Sequence, residues 1–284
     1  MGVDDRNGLR GLEDRRLDVD GGALRYFVGG EGPPLVLVHG LGGAASNWAE
    51  VAPRLARRFR VLVPDLPGHG LSAPLTGATT LDPYAECVAE LAEAEGFAEA
   101  ALVGHSLGAL VSLRLAVARA ERVNAVVLAG AAGIRSATRE AERWLNVVAF
   151  LRPGHAYARL RRRIARSPAL RYAVFGYWAA SDPLALSDEA VDGFLAHFGS
   201  HTDTKTARQA LVRDDPRLDL DRVRCPAYVL WGARDHQVPI DDAFEYARRL
   251  RAPLRVIADC GHLLIGERPD ACVDAIESFL RRGV

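Results

Sequence analysis

Short apolar runs alternate with longer amphipathic stretches along most of the chain. The apolar runs predict buried strands at 34–38, 60–64, 100–103, 123–128, 227–231 and 254–257. Apolar side chains at helical spacing predict helices at 48–59, 81–96, 107–119, 241–250 and 270–280. Two further strands are predicted within 15–28, around a Gly21-Gly22 turn. Apolar strands separated by helices are typical of a parallel sheet covered on both faces, so the sequence predicts an α/β protein.

This alternation stops after residue 133 and resumes at residue 226. The intervening sequence is helical in pattern and rich in arginine and aromatic residues. Because the closing pattern repeats the opening one, an insertion into a sheet domain is favoured over two tandem domains. We predict a core domain formed by 1–133 and 223–284, and a helical cap formed by the insertion, residues 134–222.

Composition narrows the class of protein further. The chain has 284 residues, of which 49% are hydrophobic, and 36 basic side chains balance 36 acidic ones. The apolar content excludes a disordered chain, and the neutral balance argues against a nucleic-acid partner. No apolar run approaches the roughly 18 residues of a membrane-spanning helix. The first 20 residues are highly charged and lack the apolar core of a secretory signal, so we expect a cytoplasmic protein.

The four cysteines, Cys87, Cys225, Cys260 and Cys272, lie far apart and form no C-x-x-C pair. That spacing argues against a zinc site or a redox motif and favours buried free thiols. The sequence therefore predicts no metal site.

One pentapeptide carries recognisable chemistry. Residues 104–108 read Gly-His-Ser-Leu-Gly and match G-x-S-x-G where a predicted strand gives way to a predicted helix. In that context a nucleophile elbow would hold Ser106 in a strained turn with its hydroxyl above the sheet, and the flanking glycines would avoid clashes. The alternative is an ordinary glycine-rich turn with a capping serine.

A serine hydroxyl is a weak nucleophile at neutral pH and needs a base, which in turn needs an orienting carboxylate. His262 follows the last predicted strand and Asp235 follows the preceding one, where side chains reach the carboxyl edge of a parallel sheet. The chain order Ser106, Asp235, His262 is the order that this type of elbow uses. We predict these three residues as the catalytic ones.

Other candidates for the base and the acid are less favourable. His236 adjoins Asp235 and would point elsewhere, and His105 is expected to pack or hydrogen-bond locally. Asp65 is assigned a structural role because its loop is turn-like. Solvent-facing and pocket-lining roles are both left open for three histidines of the insertion: His155, His197 and His201.

Acyl transfer also needs donors for the oxyanion, and two backbone N–H groups in a dry site contribute about 3–4 kcal/mol each. Leu107 follows the nucleophile at a helix N-terminus and is assigned as one donor. Leu41 is assigned as the other, because the glycines of the loop 39–43 let the backbone approach the substrate. A phosphate cradle is disfavoured because no G-x-G-x-x-G or G-K-[ST] pattern follows.

Together these residues resemble the α/β-hydrolase superfamily, in particular its cap-bearing branch of esterases, lactonases, C–C bond hydrolases, dehalogenases and epoxide hydrolases. The resemblance covers about 25–132 and 224–282, and its motifs are His39-Gly40, Asp65-Leu66-Pro67-Gly68-His69-Gly70-Leu71-Ser72, the Ser106 elbow, Gly232-Ala233-Arg234-Asp235 and Gly261-His262. It implies a mostly parallel eight-stranded sheet flanked by helices, with a helical cap inserted after the sixth strand. The serine chemistry itself requires no cofactor.

At several motif positions this chain differs from particular branches of the superfamily, and these differences narrow the expected activity. Dehalogenases and epoxide hydrolases of the superfamily use an Asp nucleophile, where this chain has Ser106. The C–C bond hydrolases typically show Asn before the nucleophile and Trp after the catalytic His, where this chain has His105 and Leu263. Prolyl-aminopeptidase-like members favour Trp at the position of Leu107. A carboxylesterase-like or lactonase-like enzyme remains.

Aromatic residues are concentrated in the insertion. Nine of the chain's twenty lie between 134 and 200, which suggests an apolar roof that favours hydrophobic acyl or alcohol groups. The alternative is that they build only the cap's own core. The residues predicted to line the substrate pocket are Trp144, Tyr177, Trp178, Phe198 and Leu263.

Charge is segregated within the same insertion. Residues 134–171 carry a net charge of +8 and residues 172–222 a net charge of −4. Three interpretations compete, the first being favoured: a solvated helix paired with the acidic block, an amphipathic surface for anionic lipid, and a funnel for an anionic substrate.

The sequence thus predicts a serine hydrolase that cleaves a carboxylic ester of a hydrophobic small molecule. The same triad would serve a lactone, an enol lactone or the C–C bond of a vinylogous diketone, with Arg135, Arg139 or Arg143 holding a substrate carboxylate. A non-catalytic ligand receptor is the third hypothesis, against which the intact triad argues. A homodimer, and contact of the Arg-rich insertion with a membrane surface, are left open.

Overall fold

The apolar runs of the sequence form one sheet. A computed structural model of the protein describes residues 8–75, 77–135, 154–176 and 178–283. The strands in those ranges are β1 Glu13–Val19, β2 Gly22–Gly29, β3 Pro34–Val38, β4 Arg60–Pro64, β5 Ala100–His105, β6 Val123–Ala129, β7 Ala227–Gly232 and β8 Leu254–Ile257. Each strand predicted from the sequence is present.

The sheet is mostly parallel. Its eight strands lie in the order β1-β2-β4-β3-β5-β6-β7-β8. β1 pairs antiparallel with β2, and β2 with β4, whereas the pairs from β4 to β8 are parallel. The central strands are buried along their length because helices cover both faces of the sheet. The predicted architecture is confirmed, and the carboxyl ends of β3 to β8 meet at one edge.

Helices of the described residues connect the strands from β3 onward. They are α1 Ala52–Leu55, α2 Asp82–Ala94, α3 Leu107–Ala118, α4 Gly154–Ala165, α5 Pro168–Phe175, α6 Asp188–Leu195, α7 Thr204–Arg213, α8 Ile240–Leu250, α9 Leu264–Glu267 and α10 Pro269–Gly283. Of these, α2, α3, α8 and α10 correspond to helices predicted from the sequence.

The helix predicted over 48–59 is wrong in its extent. The segment instead forms a 3-10 turn at Ala45–Trp48 and the single turn α1. Pro53 explains the break, because its ring would clash with the carbonyl of Ala49 in a continuous helix. The apolar face is nevertheless buried, since Trp48 and Leu55 are both inaccessible to solvent.

The insertion lies between β6 and β7, and its described part packs directly onto the sheet domain. Its buried side chains, Ile164, Phe175 and Phe194, belong to the same apolar cluster as Ile265 next to β8. Contact is close, because a Cβ on Gly266 would lie 2.5 Å from the ring of Phe194. The division of the chain into a core domain and a cap stays a prediction.

Some charges of the insertion neutralise one another. Arg161 forms an ion pair with Asp192 at 2.8 Å. The buried guanidinium of Arg171 contacts Asp188 and also donates to the carbonyl of Ala165 at 2.7 Å. Both pairs join the basic block to the acidic one, which supports the first of the three interpretations of the charge pattern.

Other sequence expectations concern cysteines, metals and membranes. All four cysteines are unpaired, and three of them are buried. The described ranges contain no group of three or more His, Cys, Asp or Glu side chains placed to hold a metal ion. Nor does any helix within those ranges have the length and apolar character needed to cross a bilayer.

Candidate active site

Ser106 occupies the sharp turn between β5 and α3. Its backbone has φ 54° and ψ −116°, a conformation that costs a non-glycine residue about 1–3 kcal/mol. Three backbone hydrogen bonds hold it there: the Ser106 N–H donates to the carbonyl of Ala129 at 2.9 Å, and the Ser106 carbonyl accepts from Ala109 at 3.1 Å and from Ala132 at 3.4 Å. The serine is therefore fixed at the carboxyl edge of the sheet.

The two glycines of the pentapeptide allow this turn. A Cβ on Gly104 would lie 2.3 Å from the carbonyl oxygen of Gly108. A Cβ on Gly108 would lie 2.2 Å from the carbonyl oxygen of Val38 in β3. Neither position has room for a side chain, so the strand and the helix meet this closely only with glycine at both.

His262 and Asp235 are joined by a hydrogen bond. Asp235 Oδ2 accepts from His262 Nδ1 at 2.7 Å, and both side chains are buried. Asp235 Oδ1 accepts the N–H groups of Gln237 at 2.9 Å and Val238 at 2.8 Å. Burial would raise the pKa of Asp235, but the charge and hydrogen bond of His262 and these N–H groups lower it overall. With its proton on Nδ1, the neutral imidazole keeps a lone pair on Nε2.

The serine and the histidine lie against the same short segment, residues 129–130, at the end of β6. Ser106 is bonded to Ala129, and a Cβ on the next residue, Gly130, would lie 3.5 Å from the ring of His262. The Ser106 hydroxyl makes no hydrogen bond to any described residue. The structure thus gathers the three predicted catalytic residues at one edge, with only the Asp235–His262 pair hydrogen-bonded.

The predicted oxyanion donors lie on either side of the serine. Leu107 begins α3, so its N–H has no partner within the helix, and the N–H of Leu41 donates to no described residue. The loop that carries Leu41 approaches the nucleophile closely, because a Cβ on Gly40 would lie 3.1 Å from Ser106 Cβ. Both amides are available for a ligand, and their role as donors stays a prediction.

His39 fixes that loop. Its Nδ1 donates to the carbonyl of Gly40 at 2.8 Å, and its Nε2 accepts the N–H of Leu66 at 2.9 Å. These two bonds require the neutral ring, and burial lowers the pKa of His39 to about 3. The histidine of the first motif therefore joins the loops that follow β3 and β4.

Asp65 has a structural position. Its carboxylate accepts the N–H groups of Ala45 at 2.7 Å and Leu71 at 3.0 Å, and Arg25 Nη1 lies 3.6 Å away. A Cβ on Gly70 would lie 2.2 Å from this carboxylate, so the loop can close around it only with glycine there. These contacts join the loop of Asp65 to β2 and to the 3-10 turn at Ala45–Trp48, as expected of a structural residue.

His201 of the insertion joins both loops. Its Nε2 donates to the carbonyl of Gly42 at 2.9 Å, and its Nδ1 accepts the N–H of Gly70 at 3.0 Å. The ring of Phe198 lies edge-on to the imidazole of His201, with 6.3 Å between the two ring centres. Burial lowers the pKa of His201 to about 4, which keeps the ring neutral. Sequence reasoning left this residue unassigned, and since its partners are backbone atoms, no pattern in the sequence marks them.

His105 contacts the predicted base without reaching the serine proton. Its Nε2 donates to the carbonyl of His262 at 2.9 Å, and the two ring centres are 4.9 Å apart. Burial lowers its pKa to about 3. His105 therefore holds the backbone of the loop that carries His262.

The residues predicted to line the substrate pocket are less clearly placed. Trp178 and Phe198 are 44% and 38% exposed. Leu263 is half-buried, and its N–H donates to the carbonyl of Ala179 in the insertion at 3.1 Å. Trp144 and Tyr177 lie outside the described residues. A pocket-lining role stays a prediction for all of them.

The buried histidines predict that the folded protein loses stability as the pH falls. His39, His69 and His105 have pKa values lowered by burial to about 3, whereas an unfolded histidine titrates near 6.5. Between these values the unfolded chain binds more protons, so the free energy of unfolding falls as the pH falls, by about 1.4 kcal/mol per pH unit for each group. Urea unfolding at decreasing pH measures this slope.

A single substitution tests whether buried histidines cause the dependence of the unfolding free energy on pH. His69 donates through Nδ1 to the carbonyl of Pro67 at 3.0 Å, and an asparagine amide can replace that donor without titrating. We expect His69→Asn to reduce the slope by about 1.4 kcal/mol per pH unit. An unaltered slope in His69→Asn would contradict the assignment.

A mostly parallel sheet with a sharp strand-to-helix turn at the end of its fifth strand defines one class of hydrolase fold. Residues 33–269 match the family model described as the alpha/beta hydrolase fold. The chain belongs to this family, which confirms the resemblance drawn from its sequence motifs. Membership of the family makes the protein a hydrolase.

The relatives of this chain carry different activities in their names. The dihydrolipoyllysine-residue acetyltransferase component of the acetoin cleaving system of Pseudomonas putida is 31% identical, covering 96% of this chain and 70% of that protein. The 2-hydroxy-6-oxo-6-(2'-aminophenyl)hexa-2,4-dienoic acid hydrolase of Metapseudomonas resinovorans is 27% identical, covering 95% of this chain and 91% of that protein. The crystal structure of a hydrolase from Pseudomonas aeruginosa PA01 superposes with a TM-score of 0.73 at 27% identity, covering 94% and 98% of the two chains.

Proposed function

We propose that the protein is a serine hydrolase that cleaves a carboxylic ester of a hydrophobic small molecule. The observation that carries the proposal is the buried 2.7 Å hydrogen bond between Asp235 and His262 at the same sheet edge as the strained Ser106. A serine in a plain glycine-rich turn would need neither an oriented imidazole nor a buried carboxylate behind it.

The chemistry follows from the proton positions. Asp235 holds the Nδ1–H of His262, so Nε2 is free to accept the hydroxyl proton of Ser106 as its oxygen attacks the ester carbonyl. The N–H groups of Leu41 and Leu107 receive the negative charge that develops on the carbonyl oxygen. His262 then protonates the leaving alcohol. A water molecule activated by the same imidazole attacks the acyl-enzyme, which releases the carboxylic acid and returns the proton to Ser106.

A second candidate is hydrolysis of a C–C bond by the same residues. It is favoured by the similarity to the hexadienoic acid hydrolase over nearly the whole chain. Against it, the guanidinium of Arg135, one of the residues considered for a substrate carboxylate, is paired with Asp241 at 2.5 Å. Arg139 and Arg143 lie outside the described residues. Turnover of a vinylogous diketone acid without turnover of neutral esters would favour this candidate.

Covalent labelling tests whether the serine is activated. We expect a fluorophosphonate probe to modify the native protein at Ser106, because only a serine with a general base attacks phosphorus at an appreciable rate. Mass mapping of the labelled peptide gives the site. Ser106→Ala should stay unlabelled, and Ser278→Ala on α10 should label like the unaltered protein. A native protein that does not react would instead point to a ligand receptor.

A further inference from the structure

Glu267, the last residue of α9, is a buried carboxylate that the proposed mechanism does not use. Its side chain lies between the insertion and the loop of His262 and is only 3% exposed. Oε1 accepts the N–H groups of Ser181 at 3.0 Å and Asp182 at 3.1 Å, and Oε2 accepts that of Gly261 at 2.9 Å and also that of Ser181 at 3.1 Å. Burial raises the pKa of Glu267, against the effect of these N–H donors. One side chain thus binds two segments far apart in sequence.

The backbone around His262 is held on both sides of the imidazole. Three hydrogen bonds from three parts of the fold fix it: His105 Nε2 to His262 O at 2.9 Å, Gly261 N to Glu267 Oε2 at 2.9 Å, and Leu263 N to Ala179 O at 3.1 Å. Two of the three involve Glu267 or the insertion segment that it binds. The position of the imidazole therefore depends on where that segment lies.

Close packing makes this connection stiff. A Cβ on Gly261 would lie 2.6 Å from the N atom of Ser181 and 2.9 Å from Glu267 Oε2. The insertion segment 179–182 and the loop 261–263 therefore touch backbone to backbone. A displacement of the segment is transmitted to His262 because this close contact and the hydrogen bond from Leu263 N to Ala179 O join the two backbones directly.

We infer that Glu267 is a positioning residue, through which the insertion segment 179–182 sets the distance from His262 to Ser106. This inference rests on the proposed roles of Ser106 and His262. It gives the insertion a part in the rate of the chemical step, in addition to any part in choosing the substrate.

An amide in place of the carboxylate breaks part of the link between the insertion and the loop of His262. Both carboxylate oxygens accept from backbone N–H groups, so Glu267→Gln must turn its NH₂ group toward one of them. Each oxygen accepts from two donors, so the NH₂ group faces the N–H of Ser181 together with that of either Gly261 or Asp182. In both orientations the variant keeps the volume of the side chain and weakens the link between the segment 179–182 and the loop 261–263.

We expect Glu267→Gln to lower kcat for a small p-nitrophenyl ester by about tenfold to a hundredfold, with KM changed little, because displacement of a reacting group by about 1 Å has this effect. Glu245→Gln on α8, which loses a carboxylate bound to Arg248 and Arg249, should keep the kcat of the unaltered protein. The fraction of folded protein is measured for each variant, and kcat is expressed per folded molecule.

Proton NMR supplies a readout that does not need turnover. The Nδ1–H of His262, bonded to Asp235, should give a strongly downfield resonance in the unaltered protein and in Glu245→Gln. In Glu267→Gln we expect this resonance to shift or broaden. A carboxylate that merely fastened the insertion would leave both the resonance and kcat per folded molecule unchanged, and that result would overturn the inference.

Two further variants keep the outcomes distinguishable. Ser106→Ala is assayed in parallel: if it retains activity, the proposed function fails, whereas loss of activity there with a normal Glu267→Gln rejects only the positioning role. If Glu267→Gln does not fold, Glu267→Asp replaces it. Its shorter carboxylate cannot reach all three donors, so kcat and the resonance should both change, and unchanged values would reject the positioning role.

Discussion

Replacing Ser106 with alanine will lower kcat/KM for a short-chain p-nitrophenyl ester by at least about 10³-fold. The hydroxyl is the only part of the side chain that alanine lacks, and it makes no hydrogen bond to a described residue, so its removal leaves the packing of the turn unchanged. Residual hydrolysis then comes from the amides of Leu41 and Leu107 and from substrate binding. Initial rates with purified protein, corrected for spontaneous ester hydrolysis, measure the loss.

The urea stability of Ser106→Ala and the activity of a second variant, Ser278→Ala, provide the controls. The urea midpoint of Ser106→Ala should equal that of the unaltered protein, because the backbone bonds to Ala129 and Ala109 do not involve the side chain. Ser278→Ala should retain full activity. Ester turnover that survives in Ser106→Ala would exclude this serine as the nucleophile, and with it the acyl-enzyme.

Asp235→Asn will lower kcat by about 10³–10⁴-fold while leaving the fold intact. The reason is geometric. Oδ1 of Asp235 is held by the N–H groups of Gln237 and Val238, so the asparagine oxygen takes that place and its NH₂ group faces His262 Nδ1. That nitrogen must then accept a hydrogen bond, the ring proton moves to Nε2, and the imidazole can no longer accept the proton of Ser106.

A nearby carboxylate gives the matched control. Asp259 precedes the same loop, is exposed and pairs with Arg234, so Asp259→Asn removes a comparable charge without touching the imidazole. Its kcat should stay within about twofold of the unaltered enzyme, as for a surface charge. Equal losses in Asp235→Asn and Asp259→Asn would indicate a general electrostatic effect and contradict the tautomer explanation.

The parallel strands were predictable because a strand buried on both faces must be apolar throughout, as in β3 and β6. The elbow was predictable for a local reason, since Gly104 and Gly108 are positions where the turn has no space for a Cβ. Asp235 and His262 could be named because residues that follow adjacent parallel strands meet at one edge. The helix predicted at 48–59 extends too far because apolar spacing does not reflect the restriction that Pro53 places on the backbone.

His201 and Glu267 escaped prediction for a different reason. Each binds backbone N–H or carbonyl groups of loops far away in the sequence, such as Gly42 for His201 and Gly261 for Glu267. A backbone atom has the same chemistry at every residue, so nothing in the identity of Gly42 or Gly261 names its partner. Only the folded arrangement brings these groups together.

The bridge made by His201 has a consequence for engineering. Because its partners are main-chain atoms of Gly42 and Gly70, a chimaera that receives the insertion of a relative can recover the link whenever the donor insertion supplies an imidazole or a comparable group at this place. Glu267, by contrast, belongs to the recipient. To exchange substrate preference between homologues, the residue at the position of His201 should therefore be transferred together with the insertion. Glu267 should be kept in the chain that receives the insertion.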